Sequence, residues 1–252
     1  MSLIILSLPG QGLLTHFSVM KKVLLSLALL AGFAGAANAQ SGVVKYGIKG
    51  GFNLSSYTGG GDTGSSTGFK PGFAAGLLVN YGLSDMTSLQ VEGLYSQKGA
   101  FIDQANYPAG STLAPYNGYQ YRSTLSYIDV PVLFKVNTGE AGKGLFFELG
   151  PQASFALGDR EFFRPQGEKA GSPKEVTVFN SRDRLVPVGV GYVGGIGYQI
   201  TSGLGLGLRY TGSFSNVYKD GFGTGSAPLQ GSNNFHNGVF QFQVHYLFGG
   251  KG

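Results

Sequence analysis

The sequence predicts an all-β fold: an eight-stranded antiparallel up-and-down transmembrane β-barrel behind a cleaved signal peptide. Three observations carry that expectation. Apolar and polar residues alternate with a period of two along most of the chain. Its connections alternate between long and short. The composition is Gly-rich, aromatic-rich and charge-poor, with 44 Gly in 252 residues, 13% aromatic and only 12% charged. Ordinary soluble domains carry about twice that charged fraction. A secreted β-sandwich would share the first and third features but has no reason to sort its loops by parity.

The first segment reads as targeting sequence. Met20-Lys21-Lys22 precedes an apolar run from Val23 to Ala31, and small residues lead to Ala37-Asn38-Ala39. A basic start, a short apolar core and an A-x-A end mark a Sec-type signal peptide over 20–39, cut between Ala39 and Gln40. No Cys follows the cut, so no lipoprotein is expected. Residues 1–19, with Pro9 and Gly10 and no basic start, read as an extension from a mis-assigned start codon. Residues 40–252 then form one barrel domain. Without Lys21 and Lys22 it keeps 16 basic and 13 acidic residues, a formal +3, too mild to point to nucleic acid.

Eight strands follow in order. The first covers about 43–55, with Tyr46, Ile48, Phe52 and Leu54 on one face and Lys45, Lys49 and Asn53 on the other. The second covers about 71–81, with Phe73, Leu77 and Val79. In the third, about 87–99, Leu89, Val91 and Tyr95 oppose Gln90, Glu92 and Lys98. In the fourth, about 122–137, Ile128, Val130, Val132 and Phe134 oppose Tyr127, Asp129 and Lys135. Pro131 is unusual inside a strand, and a bulge there is expected.

The fifth, about 144–157, sets Leu145, Phe147, Leu149, Phe155 and Leu157 against Glu148, Gln152 and Ser154. The sixth covers about 184–200. In the seventh, about 203–215, Leu204, Leu206, Leu208 and Tyr210 share one face, and Gly205, Gly207 and Arg209 the other. The eighth, about 236–248, sets Phe240, Phe242, Val244, Tyr246 and Phe248 against Gln241, Gln243 and His245.

The links near 56–70, 100–121, 158–183 and 216–235 are long, and those near 82–86, 138–143 and 201–202 are short. An outer-membrane barrel with both termini in the periplasm has that order, long loops outside and tight turns inside. Strand lengths suit a tilted crossing of about 9–11 residues. Tyr46, Phe73, Tyr81, Tyr192 and Tyr198 are candidates for interfacial girdles.

If apolar faces meet lipid, polar faces meet the lumen. Lys45, Lys49, Gln90, Glu92, Lys98, Asp129, Lys135, Glu148, Gln152, Arg209, Gln241, Gln243 and His245 are the lumen candidates. An eight-stranded barrel has room inside for little more than its own side chains. An ion-pair network of Lys49, Glu92, Asp129, Lys135, Glu148, Arg209 and His245 is therefore expected, with Arg209 reaching Glu92, Asp129 or Glu148. The competing reading of the same residues is a proton or solute path.

Other chemistry finds little footing. Gly189-x-Gly191-x-x-Gly194 matches a dinucleotide fingerprint in spacing, but strand-like sequence follows where a helix is required. His236 and His245 are the only histidines after the cut, and neither shares a telling spacing with a Ser and an Asp. No Cys and no paired His suggest a metal, no cofactor is implied, and an enzyme is not expected. The loop at 158–183 holds Asp159, Arg160, Glu161 and Arg164 and reads as solvated or as a recognition surface. Phe101, Tyr107, Tyr116, Tyr119 and Tyr121 in the 100–121 loop would suit adhesion or protein contact.

Two strand motifs resemble a known family. Leu89-Gln90-Val91-Glu92-Gly93-Leu94-Tyr95-Ser96-Gln97-Lys98-Gly99 and Tyr127-Ile128-Asp129-Val130-Pro131-Val132-Leu133-Phe134-Lys135 are similar to strands of the Bacteroidetes outer-membrane β-barrel proteins, labelled porin family or PorT-like. Gly150-Pro151 and Leu208-Arg209-Tyr210 fit it too. The resemblance covers about 43–248 and implies an OmpA- or OmpX-like barrel in the outer membrane, with Pro131 a family feature. Gly93 stands where the family has a bulkier apolar residue, and Gly-Gly-Lys-Gly follows Phe248, the aromatic that such barrels commonly end on.

The expected partners are outer-membrane lipid, the barrel assembly machinery and extracellular or secretion-system proteins. Four roles stay open at this point: a structural or interaction barrel with a plugged lumen, a narrow channel for ions or very small solutes, a PorT-like secretion accessory, and a rim-type membrane enzyme.

Overall fold

The computed structural model describes residues 42–59, 68–103, 105, 114–139, 143–169, 171–201, 203–219 and 234–249. The expected start extension, the signal peptide, the Ala39–Gln40 cut and Tyr107 lie outside the described residues.

The strands are β1 (Val44–Gly59), β2 (Lys70–Gly82), β3 (Thr87–Ile102), β4 (Gln120–Asn137), β5 (Gly144–Arg164), β6 (Val176–Ser181), β7 (Val188–Gln199), β8 (Leu204–Ser213) and β9 (Phe235–Phe248). Eight of them close an antiparallel ring in the order β1-β2-β3-β4-β5-β7-β8-β9. The ring shuts through the β1–β9 ladder, from Tyr46↔Phe248 to Gly59↔Phe235. Closure leaves no strand edge to face lipid, where an unpaired backbone group costs several kcal/mol.

The two-residue period sorts the side chains. Leu77, Leu149 and Leu208 are 68%, 66% and 61% exposed on the outer wall. Tyr46, Phe73, Tyr192 and Tyr198 are also exposed there. Such a continuous apolar outer face is the lipid-contacting band of a membrane barrel.

Three features differ from the sequence expectation. A ninth strand, β6, lies inside the segment read as the 158–183 loop, and β5 runs on to Arg164. β7 pairs with β5 only as far as Phe155↔Val188, and β6 takes over that edge from Asp159↔Ser181. At about 3.3 Å per residue, the 21 residues of β5 far exceed one bilayer crossing. Its outward residues change from Phe155 and Leu157 to Arg160 and Arg164, and those of β4 from Val132 and Phe134 to Thr124 and Arg122. The far half of this sheet therefore stands clear of the hydrocarbon.

Second, the bulge expected at Pro131 is not there. Pro131↔Gln152 and Phe134↔Leu149 keep one register, and the shift falls between Ser126 and Tyr127, where the outward face turns polar. Pro131 lacks an N–H, and the β3–β4 ladder skips from Val91↔Val132 to Leu94↔Asp129 around it. Third, the strand expected from 184 starts at Val188, because residues 184–187 fold over the barrel mouth.

Candidate functional site

The lumen is filled by its own side chains. Arg209 on β8 donates from Nη1 to Glu92 Oε2 at 2.8 Å and from Nη2 to Glu92 Oε1 at 2.9 Å. Its Nε donates to Glu148 Oε1 at 2.8 Å. Lys49 Nζ reaches Glu92 Oε1 at 2.6 Å. In the ring these four residues occupy alternate strands, β1, β3, β5 and β8, so β3 and β8 face each other across the barrel and so do β1 and β5. Two cations meet two anions, and Gln90 and Gln243 donate to Glu92 and Glu148 at 2.6 and 2.8 Å. Burying ions costs several kcal/mol each unless pairing and hydrogen bonding are complete. In this cluster each of the four charges has an ion-pair partner, and the Arg–Glu92 contact is bidentate.

Glycine makes the space. A Cβ at Gly195 would sit 2.8 Å from Glu148 Oε1, and one at Gly207 would sit 2.9 Å from Gln243 Nε2. The fingerprint-like Gly189, Gly191 and Gly194 all lie within β7, with no helix after them.

Asp129 belongs to a second group. Lys98 Nζ reaches its Oδ1 at 2.8 Å and Ser154 Oγ donates to the same oxygen at 2.6 Å, while Gln152 donates to Ser154 at 3.0 Å. Gln241 donates to Asn53 Oδ1 at 2.8 Å. Lys135 and His245 lie apart, toward the end where β1 starts and β9 stops. Lys135 Nζ is 3.5 Å from His245 Nε2 and 3.4 Å from Gln199 Oε1, and it sits 3.9 Å from the centroid of the Phe146 ring. Among the described residues Lys135 has no carboxylate in ion-pair range. Lys45 lines a cleft of about 50 Å³ at that end, with Asn80 and Asn137. At the other end a void of about 20 Å³ adjoins Lys98, Gln152 and Asn237, room for about one water.

The long-loop end is closed differently. Tyr57, Tyr121, Tyr127, Phe163, Leu185, Val217, Tyr218 and Phe235 form a buried apolar cluster inside the mouth. Tyr116 stacks on Phe163 with centroids 4.7 Å apart. The tyrosines expected as an exposed adhesive set are thus mostly turned inward: Tyr121 is 0% exposed, and Tyr116 and Tyr119 pack on the cluster. The reason is strand parity, since Tyr121 shares its face with Ser123, Leu125, Tyr127 and Asp129.

Residues 182–187 cover this cluster. Leu185 bridges to Tyr218, and Val186 N–H donates to Val217 C=O at 3.0 Å. Arg184 reaches inward to Asp159 and, at 2.7 Å, to Glu161. Tyr218 O–H donates to Glu161 Oε1 at 3.2 Å, and Tyr57 O–H lies 2.8 Å from Ser123 Oγ. Burial, then repulsion from Glu161, pushes the Asp159 carboxyl up to about 8 against the opposing pull of Arg184. Asp159 and Glu161, expected on a solvated loop, are buried on the inner face of β5. Arg184 was not among the sequence candidates. For the two acids parity pointed the wrong way, because their odd numbers match outward Phe155 and Leu157, and the register shift that pairs Tyr127 with Ala156 but Ser126 with Gly158 turns them inward. For Arg184 there was no signal.

His236 sits at the rim, with Nε2 2.9 Å from Asn234 Oδ1 and Nδ1 3.1 Å from Ser215 C=O.

Residues 38–219 match the family described as outer membrane protein beta-barrel domain, and the chain belongs to that family. It is an integral β-barrel of the Gram-negative outer membrane. Among solved structures it is similar to Neisserial surface protein A, at 16% identity over 81% of this chain and 97% of that one, with a TM-score of 0.43. It is also similar to Ail, the attachment invasion locus protein of Yersinia pestis, at 12% identity over 81% and 98%, with a TM-score of 0.40. OprG of Pseudomonas aeruginosa gives 10% identity over 82% and 97%, with a TM-score of 0.38. No curated protein matches the sequence.

Proposed function

We propose that this barrel is a structural or interaction protein whose lumen is a side-chain plug and whose working surface is the extracellular face. The observation that carries the reading is the Arg209 guanidinium, which joins Glu92 on the opposite wall and Glu148 at the same level. A conducting path at that level would have to break a bidentate contact and strand buried charge. The mouth adds a second seal, the Arg184 segment over the aromatic cluster.

The Leu89–Gly99 and Tyr127–Lys135 motifs support a Bacteroidetes origin and kinship with PorT-like proteins, and with it contact to secretion-system or extracellular proteins. The 20–39 segment supports Sec-dependent export with cleavage at Ala39–Gln40, from a start at Met20. Phe248 supports recognition by the barrel assembly machinery. No catalytic role and no cofactor are assigned.

Planar-bilayer recording of the purified protein tests the plug. The wild type is expected to show no steady openings. Steady single-channel openings in the wild type that change on Arg209→Gln would establish a narrow channel instead.

A further inference from the structure

Above the lipid band, the outer wall of β4 and β5 carries Arg122 and Arg160. Thr124 pairs with Arg160 and Arg122 with Phe162, so the two arginines lie diagonally across one ladder. Among the described residues neither has an ion-pair partner. Arg164, next along β5, is instead occupied by Gln120 at 2.7 and 3.1 Å. The segment after β5 folds back and brings Gly171, Glu175 and Asn180 to the same open cleft of about 520 Å³ that Arg122 and Arg160 line. The Glu175 carboxylate accepts from the Gly171 N–H at 3.2 Å. The lower edge of the cleft is Tyr95 and Leu157, the last outward residues of the lipid band on β3 and β5. Tyr95 O–H is held 3.1 Å from Ser126 Oγ.

We propose that this cleft binds a phosphate group of an outer-leaflet lipid. Two guanidiniums that no carboxylate of the described residues holds in an ion pair suit phosphate, whose oxygens accept paired N–H donors. The volume lies within the range of about 300–1,000 Å³ typical of ligand sites. A soluble anion would use the arginines alone. A lipid also uses the lower edge, because Tyr95 and Leu157 pass directly into the apolar wall where acyl chains lie. The assignment rests on the outer-membrane reading of the barrel but names a site that reading does not contain.

Native mass spectrometry of the folded full chain in dodecyl maltoside tests it, with diphosphoryl lipid A, phosphatase-treated lipid A and inorganic pyrophosphate as probes. Diphosphoryl lipid A is expected to be retained, and the Arg122→Gln/Arg160→Gln double variant to lose at least about tenfold in affinity. An equal loss of charge at the opposite end of the barrel, Lys45→Gln/Lys143→Gln, is expected to bind as the wild type does. Equal retention of phosphatase-treated lipid A, equal binding by both double variants, or no adduct at all would overturn the site. Pyrophosphate binding as tightly as lipid A would reassign it to a soluble phosphate. A boiling-dependent gel shift checked on every variant separates loss of the site from loss of the barrel.

Discussion

Arg209 makes three donor contacts to two carboxylates, so its removal leaves two buried anions facing one lysine. Arg209→Met is expected to destabilise the folded barrel by about 3–5 kcal/mol, read as a lower urea midpoint for refolding into vesicles. An unchanged midpoint would mean that the cluster is solvated. Asp159 gives a pH signature of the opposite kind to an ordinary salt-bridged acid. Its native value of about 8 is raised, so its contribution is full below about pH 4 and disappears as the pH rises through about 8. The urea midpoint is therefore expected to fall between pH 5 and pH 9, and Asp159→Asn should flatten that slope. At this scale parity told which residues point into the lumen up to Leu157 of β5, where a register shift reverses it and turns Asp159 and Glu161 inward. It could not tell that Asp129 is served by Lys98 while Arg209 takes Glu92 and Glu148, since the height of a side chain in the barrel depends on the stagger of eight ladders.

Among the elements, β5, β6 and the segment 182–187 departed most from expectation. Residues 184–187 read as the start of the sixth strand, yet they leave the wall and bury Leu185, which is 0% exposed. Pro187, without an N–H, sits just before the ladder resumes at Val188. Nothing local distinguishes an apolar residue buried under a loop from one facing lipid, which is why this cover was not legible. Leu185→Asp is expected to lift it, increasing thermolysin nicking between Arg182 and Pro187 while the barrel stays intact. Unaltered nicking would show that the Arg184 contacts suffice alone. Gly195→Val tests the wall from inside: the added carbon meets Glu148 at 2.8 Å, and a loss of about 1–3 kcal/mol is expected from overpacking, measured by the same urea titration.

For the whole molecule, the order of long and short connections was enough to set the ring, because an up-and-down barrel has one way to place them. The three short turns lie at the end where β1 starts and β9 stops, and the long loops with β6 at the other. A closed barrel resists SDS until it is heated, so the purified protein is expected to run faster unboiled than boiled. Identical mobility in both states would contradict closure between β1 and β9. The height of the sheet was less legible than its connectivity, since residues 158–164 combine strand parity with a loop-like charge content.

The placing of Lys49, Glu92, Glu148 and Arg209 on alternate strands also serves as proofreading. Adjacent strands check one another through their ladder, but β3 and β8 share no ladder. A slip of two residues displaces a side chain by about 7 Å along its strand, and a slip of one turns it out to lipid. Either error in any of the four strands leaves a buried ion without its counterpart on a wall it never touches. An assembling chain whose neighbours are all locally paired can thus still be distinguished from the finished ring by whether Glu92 has met Arg209.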